Sequence, residues 1–304
     1  MSTPLIQPAA VAVLLRSADA RPSFAHQVAV LTKWRIAFFN AISAAAGCIL
    51  AAPFDIAAIV PPVFGTFFLA CGGAALNQIQ ERELDARMER TRRRPLPAGT
   101  LSLPVAWIVA LAFCAAGFGC LVLTKQPVTL LLGAAALVSY NLIYTPLKRV
   151  TYFAPIIGAV VGAFPPAIGW ASMGAPLNHP ELVGLVMFFV LWQVPHFWLL
   201  LLGATDDYKR GGFALPTEDL SLAQLRRITF IWILGTAAFT LLLPLFGVVQ
   251  HVVAVVALAV AAGWLAWRAW RGLLAGTELR RAFMAINYFA LATLAIIILD
   301  SMRH

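Results

Sequence analysis

Long apolar stretches separated by short polar connections run through the chain from about residue 35 to residue 300. Each stretch is close to the ~20 residues that an α-helix needs to cross a lipid bilayer. In lipid, only a helix or a closed barrel satisfies its own backbone hydrogen bonds, and these stretches are too long and too uniformly apolar for barrel strands. We place nine spans at residues 35–54, 57–77, 102–123, 128–146, 153–172, 182–203, 226–248, 250–270 and 282–300. The pattern therefore predicts an all-α membrane protein, a bundle of nine transmembrane helices around a central cavity.

The basic residues fix an orientation for these spans. With the N-terminal tail in the cytoplasm, all 22 lysines and arginines except Lys125 and Arg303 fall on the cytoplasmic side, as the positive-inside rule requires. The C-terminus then lies on the opposite side. Because the net charge of +9 is explained by this distribution, we expect no nucleic-acid partner. Residues 1–30 are predicted to form a cytoplasmic tail, and residues 31–304 a single integral membrane domain.

The composition agrees with this assignment. Hydrophobic residues make up 61% of the chain and charged residues 12%, whereas charged residues make up roughly a quarter of a typical soluble protein. No targeting peptide rich in arginine and serine precedes the first span, so we expect the cytoplasmic (inner) membrane of a bacterium.

A polar face continues directly from the second span. Asn77, Glu81 and Asp85 recur every four residues, so on a helix their side chains share one face. Several arginines follow between residues 87 and 94. Acidic oxygens beside basic groups suit a metal ion that bridges the protein to a phosphate-bearing substrate. The alternative is a solvated, charge-balanced loop next to the membrane.

A second acidic cluster, Asp206 and Asp207, follows the sixth span. Two adjacent carboxylates repel each other, and a divalent cation would relieve that repulsion. An all-oxygen donor set of Asn, Asp and Glu suits Mg²⁺ rather than zinc. The alternative is a loop in which Asp206 caps a helix and Gly211 and Gly212 form a turn.

Further polar groups lie near the same membrane interface or within the sixth span. Lys148 and Arg149 follow Tyr144 at the end of the fourth span and could hold a diphosphate leaving group, or else anchor the helix at the lipid head groups. His196 and Gln193 lie deeper, within the sixth span, where an ionisable side chain usually faces a cavity. His196 is a candidate ligand or positioning group for an acceptor, with a structural hydrogen-bonding role as the alternative.

Taken together, these motifs resemble the intramembrane prenyltransferases of the UbiA superfamily, in particular its haem-modifying members. The resemblance covers about residues 31–220. It is carried by the runs Leu31-Thr32-Lys33-Trp34-Arg35, Asn77-Gln78-Ile79-Gln80-Glu81-Arg82-Glu83-Leu84-Asp85, Arg90-Thr91-Arg92-Arg93-Arg94-Pro95-Leu96, Tyr144-Thr145-Pro146-Leu147-Lys148-Arg149, Gly162-Ala163-Phe164-Pro165-Pro166 and Trp192-Gln193-Val194-Pro195-His196-Phe197.

The resemblance implies a Mg²⁺-dependent transfer of a farnesyl group from farnesyl diphosphate to a vinyl group of haem B. It implies that an enzyme modifying the haem further is a candidate partner. The catalytic, metal-binding positions it implies are Asn77, Glu81, Asp85, Asp206 and Asp207. The diphosphate-binding positions are Lys33, Arg90, Arg94, Lys148 and Arg149, and the acceptor-binding positions are His196, Gln193 and Tyr144.

Two alternatives remain open at this point. The first is the same chemistry on another acceptor, such as an aromatic acid, a quinone precursor or a chlorin, because the shape of the pocket determines the acceptor. The second is a transporter or channel, which would carry charged residues in the middle of its spans or inverted repeats. The acids instead cluster at one interface, which favours the enzyme.

Overall fold

The computed structural model describes residues 22–276 and 278–302, and this part of the chain is all-helical. Residues 1–21, most of the predicted tail, lie outside the described part. The helices are α1 Phe24–Thr32, α2 Trp34–Ala51, α3 Ile56–Asp85, α4 Leu103–Val122, α5 Pro127–Leu147, α6 Ala154–Val161, α7 Phe164–Ser172, α8 Pro180–Leu202, α9 Thr205–Gly211, α10 Leu222–Thr240, α11 Val252–Ala269 and α12 Leu279–Ser301. Short 3-10 turns lie at Pro216–Glu218 and Leu243–Phe246, and a π-helical turn, Trp270–Leu274, extends α11.

The predicted helical membrane bundle is confirmed, and its spans fall where the apolar pattern places them. Within the described residues, eight helices are long and apolar enough to cross a membrane, with α6 and α7 together forming one of them. The remaining predicted span, 226–248, is observed as α10, whose first two turns include Arg226 and Arg227. These charges lower its hydropathy, so the count of nine spans is approximate. The division into a tail of residues 1–30 and a domain of residues 31–304 stays a prediction.

Helix α3 lies at the centre of the first half of the molecule and contacts α1, α2, α4, α5 and α7. It is 30 residues long, and its last turns extend beyond its apolar part. The second half of the molecule has a large apolar core, to which helices α8, α10, α11 and α12 contribute most of the residues. The long α3 therefore carries its polar end to a place where several other elements can meet it.

Close helix contacts in this bundle depend on small residues. A Cβ atom on Gly47 of α2 would lie 2.1 Å from the carbonyl oxygen of Pro166, and one on Gly169 of α7 would lie 1.9 Å from the carbonyl oxygen of Ala44. Small residues at membrane-helix interfaces let two backbones approach closely. The contact between α2 and α7 is therefore set by two glycines.

Candidate active site

The polar face predicted on α3 is present and buried. Asn77 and Asp85 are each 1% exposed, and Glu81 is 4% exposed. All three lie in the last three turns of the helix, and the Asn77 amide donates a 2.9 Å hydrogen bond to Glu81 Oε2. Because buried carboxylates are costly unless paired, this face requires cationic partners.

Two cations supply that pairing from other parts of the chain. Lys148 Nζ lies 2.7 Å from Glu81 Oε1, and Arg94 Nη1 lies 2.6 Å from Asp85 Oδ2. Thr91 holds the loop after α3 by donating a 2.8 Å hydrogen bond to the backbone carbonyl of Asp85. The structure thus joins two predicted metal-binding carboxylates to two predicted diphosphate-binding cations.

Lys33 is the third basic residue beside this face. It lies between α1 and α2 with φ 48°, in the left-handed region, and its Nζ donates a 2.9 Å hydrogen bond to Asn77 Oδ1. Burial, together with the charges of Arg94 and Lys148, lowers the pKa of Lys33 to about 7. We call Lys33, Asn77, Glu81, Asp85, Arg94 and Lys148 the charged cluster.

Gln78 positions Lys33, a role that the sequence did not reveal. Its side-chain amide donates hydrogen bonds of 2.8 Å to the carbonyl oxygen of Val30 and 2.9 Å to that of Leu31. Both carbonyls belong to the last turn of α1. Gln78 therefore fixes the end of α1 against α3, immediately before the left-handed residue that directs the backbone into α2.

The end of α5 completes the charged cluster from a second side. A π-helical turn, Val138–Tyr144, precedes Thr145, whose hydroxyl accepts a 3.0 Å hydrogen bond from the Asn77 amide. Lys148 Nζ lies 5.0 Å from the centre of the Tyr144 ring and 5.5 Å from that of Phe213. Cation–π contacts of this kind stabilise a desolvated ammonium group. Tyr144, predicted at the acceptor site, is thus also a partner of Lys148.

Asp207 is engaged by the loop that follows α3. Its carboxylate accepts hydrogen bonds from the backbone amides of Glu89, at 2.9 Å, and Arg90, at 3.0 Å, and Arg210 contacts it at 2.5 Å. The Arg210 hydrogen bond and the two backbone amides lower the pKa of Asp207. Its neighbour Asp206 is exposed. Both Asp207 oxygens therefore tie α9 to the loop between α3 and α4, residues 86–102, which we call the arginine-rich loop. A metal-binding role for this acidic pair stays a prediction.

Two of the predicted diphosphate-binding arginines lie at the periphery. Arg90 is exposed, and its guanidinium lies 5.9 Å from the centre of the Tyr208 ring. Arg149 is also exposed and donates a 3.0 Å hydrogen bond to the carbonyl oxygen of Gln80. The structure places Lys33, Arg94 and Lys148 against the buried carboxylate face, and Arg90 and Arg149 outside it.

His196 and Gln193 lie on α8, and the His196 ring packs among aromatic side chains. The His196 ring centre is 4.9 Å from that of Trp192 and 5.1 Å from that of Phe283. Its buried Nδ1 has no hydrogen-bond partner within the described residues. Phe197 connects this region to the charged cluster, because its ring lies 5.7 Å from the Tyr144 ring. His196 and Tyr144 thus belong to one aromatic region that reaches the cluster through Tyr144, whereas Gln193 lies close to Gly162.

The donor atoms of the α3 face fit a hard cation such as Mg²⁺. Asn77, Glu81 and Asp85 offer only oxygen ligands, which is the chemistry that Mg²⁺ prefers. Among the residues that the structure describes, no three His, Cys, Asp or Glu side chains converge as a metal site. The carboxylates are instead held by Lys148 and Arg94.

Comparison with known proteins identifies the fold and the family. A model of the UbiA prenyltransferase family matches residues 40–294. The chain belongs to the UbiA prenyltransferase family. The resemblance inferred from the motifs is therefore confirmed, and the charged cluster lies in or beside the part of the chain that carries the family match.

A curated UbiA relative extends this similarity. The chain is 46% identical over 219 residues to a protein of Geobacter sulfurreducens named protoheme IX farnesyltransferase, a match that covers 72% of this chain and 80% of that protein.

Solved UbiA structures share the fold at low sequence identity. A UbiA homolog from Aeropyrum pernix K1 in its apo form superposes with a TM-score of 0.70 at 19% identity and covers 86% of this chain and 98% of that one. A UbiA homolog from Archaeoglobus fulgidus, bound to GPP and Mg²⁺, superposes with a TM-score of 0.59 at 15% identity. That match covers 89% of this chain and 99% of that one. These two likenesses support the UbiA helical architecture.

Proposed function

We propose that this chain transfers the farnesyl group of farnesyl diphosphate to a vinyl group of haem B, which gives haem O. The observation that carries the proposal is the charged cluster, where two buried carboxylates and three basic side chains meet at one end of an apolar helical bundle. The protoheme IX farnesyltransferase name of the Geobacter relative supports haem B as the acceptor and farnesyl diphosphate as the donor.

The cations of the cluster suit a diphosphate leaving group. Breaking the bond between the allylic carbon and oxygen sends the electron pair to the diphosphate, whose negative charge increases in the transition state. Lys33, Arg94 and Lys148 are gathered at one end of the bundle by their amide or carboxylate partners, so their positive groups are available there to stabilise that charge. We assign diphosphate binding to these three residues, with Arg90 and Arg149 as outer contacts.

Asn77, Glu81 and Asp85 would hold Mg²⁺ beside these cations, and Asp206 and Asp207 are further candidate ligands. The Archaeoglobus homolog, which shares this fold, binds GPP together with Mg²⁺, and this supports a metal requirement here. When bound, Mg²⁺ supplies additional charge stabilisation for the departing diphosphate. The residues themselves keep the carboxylate charges at one end of the bundle, next to the basic groups.

The aromatic region would receive the prenyl chain and the acceptor. An allylic cation next to bulk water would be hydrolysed, so the reaction needs apolar walls. Tyr144 and Phe197 lie between the charged cluster and His196 and could line this route. We assign acceptor binding to His196, Gln193 and Tyr144, with the His196 ring available as a ligand or positioning group for the haem. A central cavity that holds both substrates stays a prediction.

The proposed reaction is balanced without an oxidant or reductant. The vinyl π electrons of haem form a carbon–carbon bond with the allylic cation, which leaves a cation on the inner vinyl carbon. Water adds to that carbon and releases a proton, so the product carries a hydroxyethylfarnesyl group. An enzyme that modifies this product further is a candidate partner.

Incubation of the purified protein with Mg²⁺, farnesyl diphosphate and haem B tests the proposal directly. Mass spectrometry of the haem is expected to show the gain of one farnesyl group and one hydroxyl group, with release of diphosphate in equal amount. Parallel reactions contain an aromatic acid or a chlorin in place of haem. Prenylation of one of those acceptors, with haem left unmodified, would contradict haem as the acceptor but would still support prenyltransferase activity.

For the location, we propose the cytoplasmic membrane of a bacterium, with the N-terminus and the charged cluster on the cytoplasmic side and the C-terminus on the other. The distribution of basic residues supports this orientation. Labelling of single introduced cysteines with an impermeant thiol reagent in intact cells and in inverted vesicles tests it. Labelling of a cysteine beside Lys125 from the outside only is the expected result.

A further inference from the structure

A cleft of about 630 Å³ lies between α11 and α12, apart from the charged cluster. Tryptophan and arginine side chains dominate its lining, with Met284 and Tyr288 on the α12 side. The π-helical turn at the end of α11 packs against α10, so the cleft lies at the end of the bundle where α10 begins. That end also holds α9, which joins α8 to α10 and contacts the arginine-rich loop.

The cleft has a strong excess of positive charge. Its lining includes Arg268, Arg280 and Arg281, and Arg271 lies in an adjoining cleft of about 600 Å³. Among the described residues of both linings, Glu278 is the one acid, and it forms an ion pair with Arg281. Four guanidinium groups against one carboxylate leave a site with unneutralised positive charge, and guanidinium groups bind phosphate oxygens in pairs.

The arginines are arranged around an indole ring. The guanidinium of Arg268 lies 5.7 Å from the centre of the Trp267 ring, and that of Arg271 lies 5.6 Å from the same ring. Trp267 is 48% exposed and Trp270 is 50% exposed. Exposed tryptophans at the end of a membrane span lie at the level of the lipid head groups. The positive charge is therefore held at the depth where lipid phosphates lie.

The surface next to the cleft suits an acyl chain. Val256, Val260 and Trp264 precede Trp267 on the same face of α11, at helical spacing, and all three are exposed. On α12, Met284 and Tyr288 are exposed on the opposite wall. An amphiphile could place its anionic head among the arginines and its chain along this apolar face.

We propose that the cleft between α11 and α12 is a binding site for an anionic phospholipid, with the phosphate of its head group held by Arg268 and Arg280. A zwitterionic lipid fits less well, because its own cation would meet the arginines. The site is separate from the charged cluster, so lipid binding and prenyl transfer can be measured independently.

Native mass spectrometry of the purified protein in detergent tests the site, with phosphatidylglycerol and phosphatidylcholine added in turn. The wild type is expected to retain phosphatidylglycerol preferentially. Arg268→Gln combined with Arg280→Gln is expected to weaken that retention by about tenfold or more, because both guanidinium groups that hold the phosphate are lost. The single variants replace the double variant if it does not fold.

Arg35→Gln is the matched control, because Arg35 also lies over an exposed tryptophan, 5.6 Å from the Trp34 ring, but outside the cleft. Equal retention of both lipids, unchanged retention in the double variant, or an equal loss in Arg35→Gln would each overturn the proposal. Displacement of the lipid by inorganic diphosphate or by farnesyl diphosphate would overturn it in favour of a phosphate or substrate site. Retention of phosphatidylglycerol against both competitors is the expected result.

Discussion

Glu81 on α3 and Lys148 at the end of α5 form an ion pair of 2.7 Å in the interior of the bundle. The Glu81 side chain is 5% exposed and that of Lys148 is 18% exposed. Loss of either partner leaves a charge with little access to water, which is destabilising. The pair thus links the residue proposed to hold a metal with the residue proposed to hold the substrate's diphosphate.

Glu81→Gln is expected to lower turnover of farnesyl diphosphate by about 100-fold or more, because it removes a charged metal ligand whose effect is worth several kcal/mol. Diphosphate release measured over a range of Mg²⁺ concentrations checks this, and the variant is expected to require more Mg²⁺. Glu83→Gln is the control, since Glu83 is exposed and pairs with Arg82. Equal turnover in Glu81→Gln and wild type would remove the metal role from Glu81.

Asp206 and Asp207 are expected to differ although they are adjacent. Asp207→Asn should lower the free energy of unfolding by about 1.5–3 kcal/mol, because it weakens charge-assisted hydrogen bonds to the Glu89 and Arg90 amides. Asp206→Asn should leave thermal stability unchanged, since Asp206 is exposed, and should lower turnover if Asp206 holds a metal. Thermal unfolding in detergent and turnover, measured on both variants, separate the two roles. Equal stability of the two variants would contradict a role for Asp207 in holding α9 against the loop after α3.

Gly162→Ala is expected to weaken haem binding more than farnesyl diphosphate binding. A Cβ atom at this position would lie 1.6 Å from Gln193 Oε1, so the glutamine side chain must move. Titration of haem and of farnesyl diphosphate by absorbance and calorimetry checks this. Gly235→Ala is the control, because its added Cβ meets nothing within 4 Å. An equal loss of both ligands in Gly162→Ala would indicate a general structural effect instead of an acceptor role for Gln193.

Gly169→Ala is expected to destabilise the fold, because its new Cβ would overlap the Ala44 carbonyl, which is backbone and cannot rotate away. Overpacking of this kind costs about 1–3 kcal/mol. The midpoint of thermal unfolding in detergent should fall. Gly119→Ala on α4 is the comparison, since its Cβ meets nothing within 4 Å and should leave the midpoint unchanged. Equal midpoints in the two variants would show that α2 and α7 can separate without cost.

The sequence alone determined which segments are helical and which end of α3 carries the polar face. A run of about 20 apolar residues in lipid has one way to satisfy its backbone, so the apolar pattern located every span, and only the charged start of α10 made the count approximate. The four-residue spacing of Asn77, Glu81 and Asp85 likewise predicted a shared face, because helical geometry is local.

Tertiary structure alone decided which charges face each other. Arg94 reaches Asp85 while Arg90 stacks on Tyr208, and Lys148 reaches Glu81 while Arg149 binds the Gln80 carbonyl. Within each pair, Arg90 with Arg94 and Lys148 with Arg149, the two basic residues look alike in the sequence. Their roles depend on contacts between residues far apart in the chain, and no local pattern encodes them. The same holds for Asp207, whose partners lie more than 100 residues earlier.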